Sequence, residues 1–598
     1  MSLLALTSHP WDSHLYDLIA RIGEAPISVA ALKCRPTARG CNVAVPSVAT
    51  VKEEYRHDLA LGGCNIHVPL LFDDGVRWLA RVRLNLYDCD QAESRAMMRS
   101  DYEAISALRR VAPESVPKAY MPEEQTDGLS FFFVESTDDV RLLEVKVHSR
   151  DKKTIREYAD YLVKVATLEF TGIGGLHSPP PISPLSSQEE EEQQGPSPCA
   201  IVGPKVEVWP WGTATLGPFT TSRDAYMARI DSWLACIEAA KGQRQDRLLA
   251  YLAGLEARSL VAGCEEMRRE GPTFIKGQDD YVGPFLQRAH RVAPFTDWEC
   301  AHVAPLEEAF AGPFALVDWT AFIGGSNKLT SGEVQLAERL ESQGRADLAA
   351  AIRGGRKYQR LRYFFDAQRV SLDSLNGMRA AFLGDAAPPR AASLGVWAER
   401  VLPAHAHNPG LQRLLSQIED NATAAAIEAQ DAADAAQTAA KELKAALDKV
   451  TTMPLVDPND FEARGERAAH AARLEAATNV AATAMLSGKS AAKAAMVYGT
   501  EARWALDILT AGKRALSTLA GAACELAVVA EVVEEKGVAA NGEGCATVKM
   551  AVAKELARWT KVWRDIEVAA AKAEVATSRA EAGAGVAEQA LKETRATV

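Results

Sequence analysis

The chain of 598 residues is 47% hydrophobic and 24% charged, which suits a soluble globular protein but exceeds what one compact core holds, so two or three domains are expected. Its 67 basic and 79 acidic residues leave a net charge of −12, which argues against a nucleic-acid surface or attraction to anionic lipid, since both depend on clustered Lys and Arg. The ten cysteines lack the spacing of zinc or redox motifs and read as reduced thiols. Neither a signal peptide nor a run of about 18 uncharged apolar residues is present, so the expected location is cytoplasmic.

Residues 1–49 read as an N-terminal extension. Leu61 to Phe72, Asp73-Asp74-Gly75 and Val76 to Leu84 then predict a β-hairpin, because Asp-Gly supplies the positive φ of a tight turn. A helix is expected over Ser100 to Val111, where Asp101 would be a first-turn acid favoured by the helix dipole. Ser130 to Val134, with its three consecutive Phe, predicts a buried strand, and residues 151–170 and 222–270 are helical by apolar period. Between them, residues 178–200 carry Pro179-Pro180-Pro181 and the run Glu189 to Glu192. This composition buries too little surface to order itself, so a disordered insert is expected.

A boundary follows where Gly384, Pro388, Pro389, Pro403 and Pro409 punctuate the chain, and residues 386–410 read as a linker. From 411 to 598 alanine dominates. Ile418, Ala422, Ala425, Ala429, Ala432, Ala436, Ala439, Leu443, Ala446 and Val450 alternate by three and four residues, the period of a helix packed along a partner. Pro454 to Asn459 and Gly537 to Gly544 divide this tail into about three helices, which short connections fold back as antiparallel neighbours in a bundle or coiled coil.

Chemistry concentrates in Phe274-Ile275-Lys276-Gly277-Gln278-Asp279 and Thr296-Asp297-Trp298-Glu299. An Asp after an apolar strand, with a second Asp about 18 residues on, is the arrangement a kinase-type site uses. One carboxylate orients the acceptor hydroxyl and the other holds Mg²⁺ on the nucleotide phosphates. Two aspartates in surface turns are the plainer reading of the spacing alone.

The stretch resembles the catalytic loop and metal motif of the aminoglycoside phosphotransferase family, His-Gly-Asp-x-x-x-x-Asn followed by Ile-Asp-Trp-Glu. Further segments resemble family elements in the same order. Leu61-Gly62-Gly63-Cys64-Asn65 is similar to the phosphate-covering loop, and Trp78-Leu79-Ala80-Arg81-Val82 to the strand carrying the phosphate-pairing cation. Ser100-Asp101-Tyr102-Glu103-Ala104 resembles the helix with that cation's acidic partner, and Phe132-Phe133-Val134-Glu135-Ser136 the nucleotide hinge. Ile173-Gly174-Gly175-Leu176 is similar to the Ile-Gly-Ser-Leu turn, and Gly355-Arg356-Lys357-Tyr358 to a late helix of the second lobe.

The resemblance implies an α+β, bilobal protein-kinase-like fold over residues 50–385, with a strand-rich N-lobe, a helical C-lobe and the alanine-rich helical tail after it. It implies ATP and Mg²⁺ as cofactors, with Asp279 as the catalytic carboxylate and Asp297 as the metal ligand. Gly62 and Gly63 would cover the phosphates, Arg81 pair with them, Asp101 hold Arg81, and Glu135 lie at the nucleotide. Arg81 also alternates with Arg83 along its strand, as solvent-facing residues do.

Two departures stand out: Gly277 replaces the family's His, and Pro284 its metal-binding Asn. Loss of one such electrostatic contact is worth about 3 kcal/mol, roughly two orders of magnitude in rate. Two functions therefore follow. One is phosphoryl transfer to a small-molecule hydroxyl. The other is a catalytically inactive pseudokinase or scaffold whose tail self-associates or binds a protein partner.

Overall fold

The computed structural model describes residues 10–24, 26–47, 65–84, 89–123, 128–135, 152–179, 200–209, 212–240, 247–277, 287–288, 291–292, 298, 300–366, 370–452, 466, 469–500, 502–503 and 542–597. The protein is mixed α+β, with small antiparallel sheets and a helical C-terminal tail. It divides into two compact units, Met1–Cys236 with Glu256–Pro389, and Ile237–Leu255 with Arg390–Val598. Of the expected insert at 178–200, only residues 178, 179 and 200 lie among those described.

The first unit opens with helices α1 (Pro10–Glu24) and α2 (Ile27–Cys34), followed by β1 (Cys41–Val43), β2 (Asn65–Phe72) and β3 (Arg77–Arg83). β2 and β3 form the expected hairpin, with Leu71 opposite Arg77 and Gly75 at φ +84° in its turn. Helix α3 (Gln91–Val111), β4 (Ala119–Tyr120) and β5 (Phe131–Glu135) follow, and the five-stranded sheet has the order β1-β2-β3-β5-β4.

Strand periodicity sorts this sheet into two faces. Ile66, Val68, Leu70, Phe72, Trp78, Ala80, Val82, Phe131 and Phe133 pack with Leu15, Leu18, Ile22 and Ile27 of the first two helices. Residues 1–49, read as an extension, thus contribute two helices and an edge strand to the sheet's own core. Phe132 and Val134 point the other way, into a core with Ala104, Ile105 and Leu108 of α3. Arg81 and Arg83 share that second face by alternation.

Helix α3 begins nine residues before its expected start. Asp90 caps it: its side chain accepts from the Glu93 N–H at 2.7 Å, and the Glu93 carboxylate accepts from the Asp90 N–H at 3.1 Å. This reciprocal capping box satisfies two of the orphan donors of the first turn. Asp101 consequently lies in the middle of the helix, not in its first turn.

The rest of the unit is mainly helical. Helix α4 (Lys152–Val165) buries Ile155, Tyr158, Ala159, Leu162 and Val165 at helical spacing. It is followed by β6 (Gly175–His177), β7 (Ile201–Gly203), β8 (Lys205–Trp209), β9 (Gly212–Leu216), α5 (Ser222–Ala239) and α6 (Arg247–Gly263). Next come β10 (Thr273–Lys276), β11 (Gln287–Arg288), β12 (Arg291–Val292) and β13 (His302–Pro305). β10 pairs with β13, Lys276 opposite His302, while β11 and β12 form a hairpin between them in sequence. Helices α7 (Leu306–Ala309), α8 (Trp319–Ile323), α9 (Ser331–Ser342), α10 (Ala346–Gly354), α11 (Arg356–Asp366) and α12 (Leu372–Leu383) complete it.

In the second unit, the segment expected as a linker contains helix α13 (Leu394–His405), with Pro403 in its last turns. Trp397, Ala398, Val401 and Leu402 are buried, and this apolar face outweighs the proline's disruption of one turn. Pro409 sits at the first position of α14 (Pro409–Thr451), where its missing N–H is harmless. Helical residues 469–500 and α15 (Gly542–Thr597) follow.

The alanine seam is real. Ile418, Ala422, Ala425, Ala429, Ala436, Ala439 and Leu443 are buried, and Ala432 and Ala446 are half-buried. Ala425, Ala429 and Ala433 meet Ala491, Ala495, Ala573 and Ala580, whereas Leu443 meets Leu474 and Leu591. Those registers make 469–500 antiparallel to α14 and α15 parallel to it, an up-down-up bundle. Close approach depends on small residues: a Cβ on Gly583 would lie 2.9 Å from the Ala433 carbonyl oxygen.

Candidate functional site

Gly62, Gly63, Asp279 and Asp297 lie outside the described residues, as do Pro284 and Glu299. The remaining expected site residues are placed. Arg81 is 2% exposed and Asp101 is fully buried. Arg81 stands opposite Phe132 in the register, its guanidinium 5.8 Å from that ring. Its strand-mate Arg83 donates toward Met97 Sδ at 3.4 Å, which ties this face to α3. The solvent-facing reading of Arg81 is thereby corrected: alternation sends it to the face that α3 covers. Glu135 ends β5, where its carboxylate accepts the Tyr120 hydroxyl at 2.6 Å while Tyr120 stacks on Trp78 at 4.2 Å.

A second polar assembly surrounds the β10–β13 pair. Gly277 follows β10, and a Cβ there would lie 3.1 Å from the buried ring of Trp298. The indole thus leaves little room for a side chain at this position. Next to Gly277, a narrow recess is lined by Lys205, Arg229, Lys276, His302 and Glu308, with Tyr358 and Phe314 as aromatic walls. A second narrow recess shares Lys205, Arg229, His302 and Glu308 and adds Glu207 and Tyr226.

Each polar group is delivered by a different element. The alternation Lys205-Val206-Glu207 puts two ionisable side chains on one face of β8. The glycine pair at β6 allows this strand to come close, since a Cβ on Gly175 would lie 2.7 Å from the Pro204 carbonyl oxygen. Helix α5 supplies Tyr226 and Arg229, β13 supplies His302, and α7 supplies Glu308.

Glu207 sits between two cations, its carboxylate oxygens 3.1 Å from Lys205 Nζ and 3.1 Å from Arg229 Nη2. Burial opposes its ionisation, but Arg229 and Lys205 prevail and hold it below the usual carboxylate range. Glu308 is likewise held low against burial, through His302, Tyr226 and Arg229. His302 Nε2 lies 3.5 Å from Glu308 Oε1, and burial together with Lys205 pushes this imidazole toward its neutral form. Burial and Glu308 raise the Tyr226 phenol well above its ordinary range, so it stays a hydrogen-bond donor. Arg229 also lies over the Phe365 ring at 4.1 Å, and its Nε is buried without an acceptor among the described residues.

No protein-family model matches the chain, and no curated protein matches it. Function therefore rests on the site alone.

Sequence reasoning located the β10–β13 segment through Asp279 and Asp297 but missed Lys205, Glu207, Tyr226, Arg229, His302 and Glu308. Their one sequence signal is the Lys-Val-Glu-Val alternation in β8. Tyr226 and Arg229 are neighbours on α5, and His302 and Glu308 lie close in sequence, but these two pairs and β8 are separated from one another by tens of residues, and only the packing of α5 and α7 against the strands collects them. Among the described residues, no three His, Cys, Asp or Glu side chains cluster as metal ligands do. Among the described residues, Cys34, Cys41, Cys89, Cys236, Cys264 and Cys300 form no disulfide bonds. No described helix is long and apolar enough to cross a membrane.

Proposed function

We propose that the first unit is a bilobal, kinase-like phosphotransferase body that transfers a phosphoryl group to the hydroxyl of a small molecule. The observation that carries this reading is the placement of Arg81 and Asp101. The cation is buried on the third strand of an antiparallel sheet, and the acid is buried on the helix that follows that strand. Protein kinases use this order for the cation that pairs the nucleotide phosphates and the acid that holds it. A second support is the β10–β13 pair with its intervening hairpin, since Asp279 follows the first strand and Asp297 precedes the last.

Bound Mg²⁺-ATP supplies the phosphoryl group, whose phosphorus gains a bond to the acceptor oxygen as its bond to the ADP oxygen breaks. On this reading Asp279 would orient the acceptor hydroxyl and take its proton, and Asp297 would hold Mg²⁺, which would neutralise charge on the phosphates. Arg81 would pair with the phosphates, and Asp101 would hold Arg81 in place. Gly62 and Gly63 would cover the phosphates, and Glu135, at the end of β5, would lie at the nucleotide.

Gly277 favours a second reading, a pseudokinase scaffold acting through the helical tail, because the Trp298 ring crowds the place of the motif's His. Thermal melting of the full chain with ATP, with and without Mg²⁺, separates the two. A Mg²⁺-dependent rise that Asp297→Ala abolishes is expected of the phosphotransferase. A melting temperature that stays fixed at millimolar ATP would reject it in favour of the scaffold.

A further inference from the structure

We propose that the outward face of α15 between Val568 and Gln589 docks a second copy of this chain, with the two copies of α15 running parallel. The inference concerns the second unit alone and does not rest on the phosphotransferase reading.

Helix α15 carries two seams back to back. One, through Ala573, Ala576, Ala580 and Ala587, is buried in the bundle. The other repeats by three and four residues on the opposite side, through Val568, Ala571, Val575, Ser578, Ala582 and Gly585, and ends at Gln589. All of these are exposed, Val568 by 46% and Val575 by 53%. No charge falls on this line over about 30 Å of helix, although the solvent face of a surface helix ordinarily carries charged residues. Its flanks show that it looks away from the neighbouring helices. On one side Arg579 donates to Gln430 of α14 at 2.7 Å, and on the other Glu588 pairs with Lys489 of the antiparallel segment at 2.8 Å. The seam expected on α14 is, by contrast, already occupied inside the bundle.

Charge along the flanks selects the occupant and its direction. With Val568 and Val575 at a positions and Ala571 and Ser578 at d, the g positions are Glu567, Glu574, Glu581 and Glu588, and Lys572 and Arg579 stand at e. In a parallel pair each g residue meets the e residue of the following heptad on the other helix. Glu567 then faces Lys572 of the second copy and Glu574 faces its Arg579, each contact occurring twice by symmetry. An antiparallel pair would instead set g against g, Glu against Glu. The pattern is complementary to itself, as an interface between two identical copies requires. Glu574 also pairs with Arg503, yet its side chain stays 56% exposed and within reach of a partner. Exposed pairs of this kind add little affinity; they set direction, and the apolar stripe supplies the attraction. Alanine, serine and glycine on the seam let backbones approach closely but bury little area, so the dimer is concentration-dependent, not obligate.

Sedimentation velocity of the full chain over a hundredfold range of concentration should show a monomer–dimer equilibrium. Val575→Glu places a charge on the stripe of both copies and should weaken association about tenfold or more. Val480→Glu, at a valine equally exposed at 53% on another helix of the bundle, should leave it unchanged. Circular dichroism checks helical content, and if Val575→Glu loses helix, Ala582→Glu decides. Glu574→Lys reads the direction. In a parallel pair the new lysine meets Arg579 and association should weaken about tenfold, whereas in an antiparallel pair it would meet Glu and association would tighten. Mixing Glu574→Lys with Arg579→Glu should restore association, because opposite charges then meet between unlike copies, and this separates the effect from loss of the Arg503 pair. A chain that stays monomeric throughout, or a dimer that Val575→Glu leaves intact, overturns the interface. Glu574→Lys associating as tightly as the wild type, or more so, overturns the parallel arrangement.

Discussion

The environment of His302 shapes how the protein responds to mild acid. Burial and Lys205 lower its pKa from the ordinary 6.5, against the pull of Glu308 and Glu207. The unfolded chain therefore takes up this proton first, and folding stability falls as the pH drops below about 6.5. Glu207 and Glu308 are shifted down from 4.5, so the stability they contribute is lost only at lower pH, through their folded values. Denaturant melts of the wild type and His302→Gln at pH 7, 6, 5, 4 and 3 should show the difference. The variant should lose the decline between pH 6.5 and 5 while keeping the steeper one below 4.5.

A second residue-scale feature is structural. Arg356 forms two bonds of 2.7 Å with the carboxylate of fully buried Glu333. Arg356→Met alone should cost about 3–5 kcal/mol, because it leaves a buried charge without its partner. Arg356→Met combined with Glu333→Met should recover much of that loss in the same melts, and a double variant as unstable as the single one would argue against charge burial as the cause.

At the scale of elements, small residues do in the tail what large ones do elsewhere. The layer around Ala433, Ala580 and Gly583 lets helices approach until backbone and Cβ atoms touch. Bulk cannot be absorbed there, because the neighbour is backbone rather than a flexible side chain end. Gly583→Leu should therefore lower bundle stability by about 1–3 kcal/mol, the usual cost of overpacking. Gly585→Leu, two positions away with no atom near its would-be Cβ, should be harmless. Helical content followed by circular dichroism during heating distinguishes them. The heptad-like seam was legible from spacing alone. The parallel relation of α14 and α15 was not, because the seam fixes which face packs but not which partner covers it.

At the scale of the whole molecule, the two units exchange chain. Residues 237–255 belong with the tail, although they precede more than a hundred residues of the first unit. Within the second unit, Arg247 donates to Gln417 at 2.8 Å, Tyr251 to Glu238 at 2.7 Å, and Arg413 to Glu238 at 2.7 Å. Every residue from 247 to 257 is buried, as expected of a helix covered on all sides. Truncation after Pro389 would strip that cover from Leu248, Leu249, Leu252 and Leu255, each worth about 1.5–3 kcal/mol when buried. A 1–389 fragment should accordingly be insoluble or melt well below the full chain. A fragment melting at the full-chain temperature would show that the two units are energetically independent.

The sequence by itself determined the hairpin turn at Asp74-Gly75, the buried Phe strand, the alanine-rich helical tail and its seam, because each depends on short-range periodicity or on the backbone freedom of one residue. It also marked the apolar run Phe274-Ile275 as a strand, which is β10 in the structure. It misplaced the start of α3, where the capping box outran the apolar pattern, and it read the Pro-rich stretch before the tail as a linker although Trp397 anchors a helix there. Only tertiary structure decided that Arg81 faces the covered side of its sheet, that Asp101 is buried mid-helix, and that Lys205, Arg229, His302 and Glu308 share one recess. Burial and charge pairing between residues far apart in the chain are set by packing, and no local pattern encodes them.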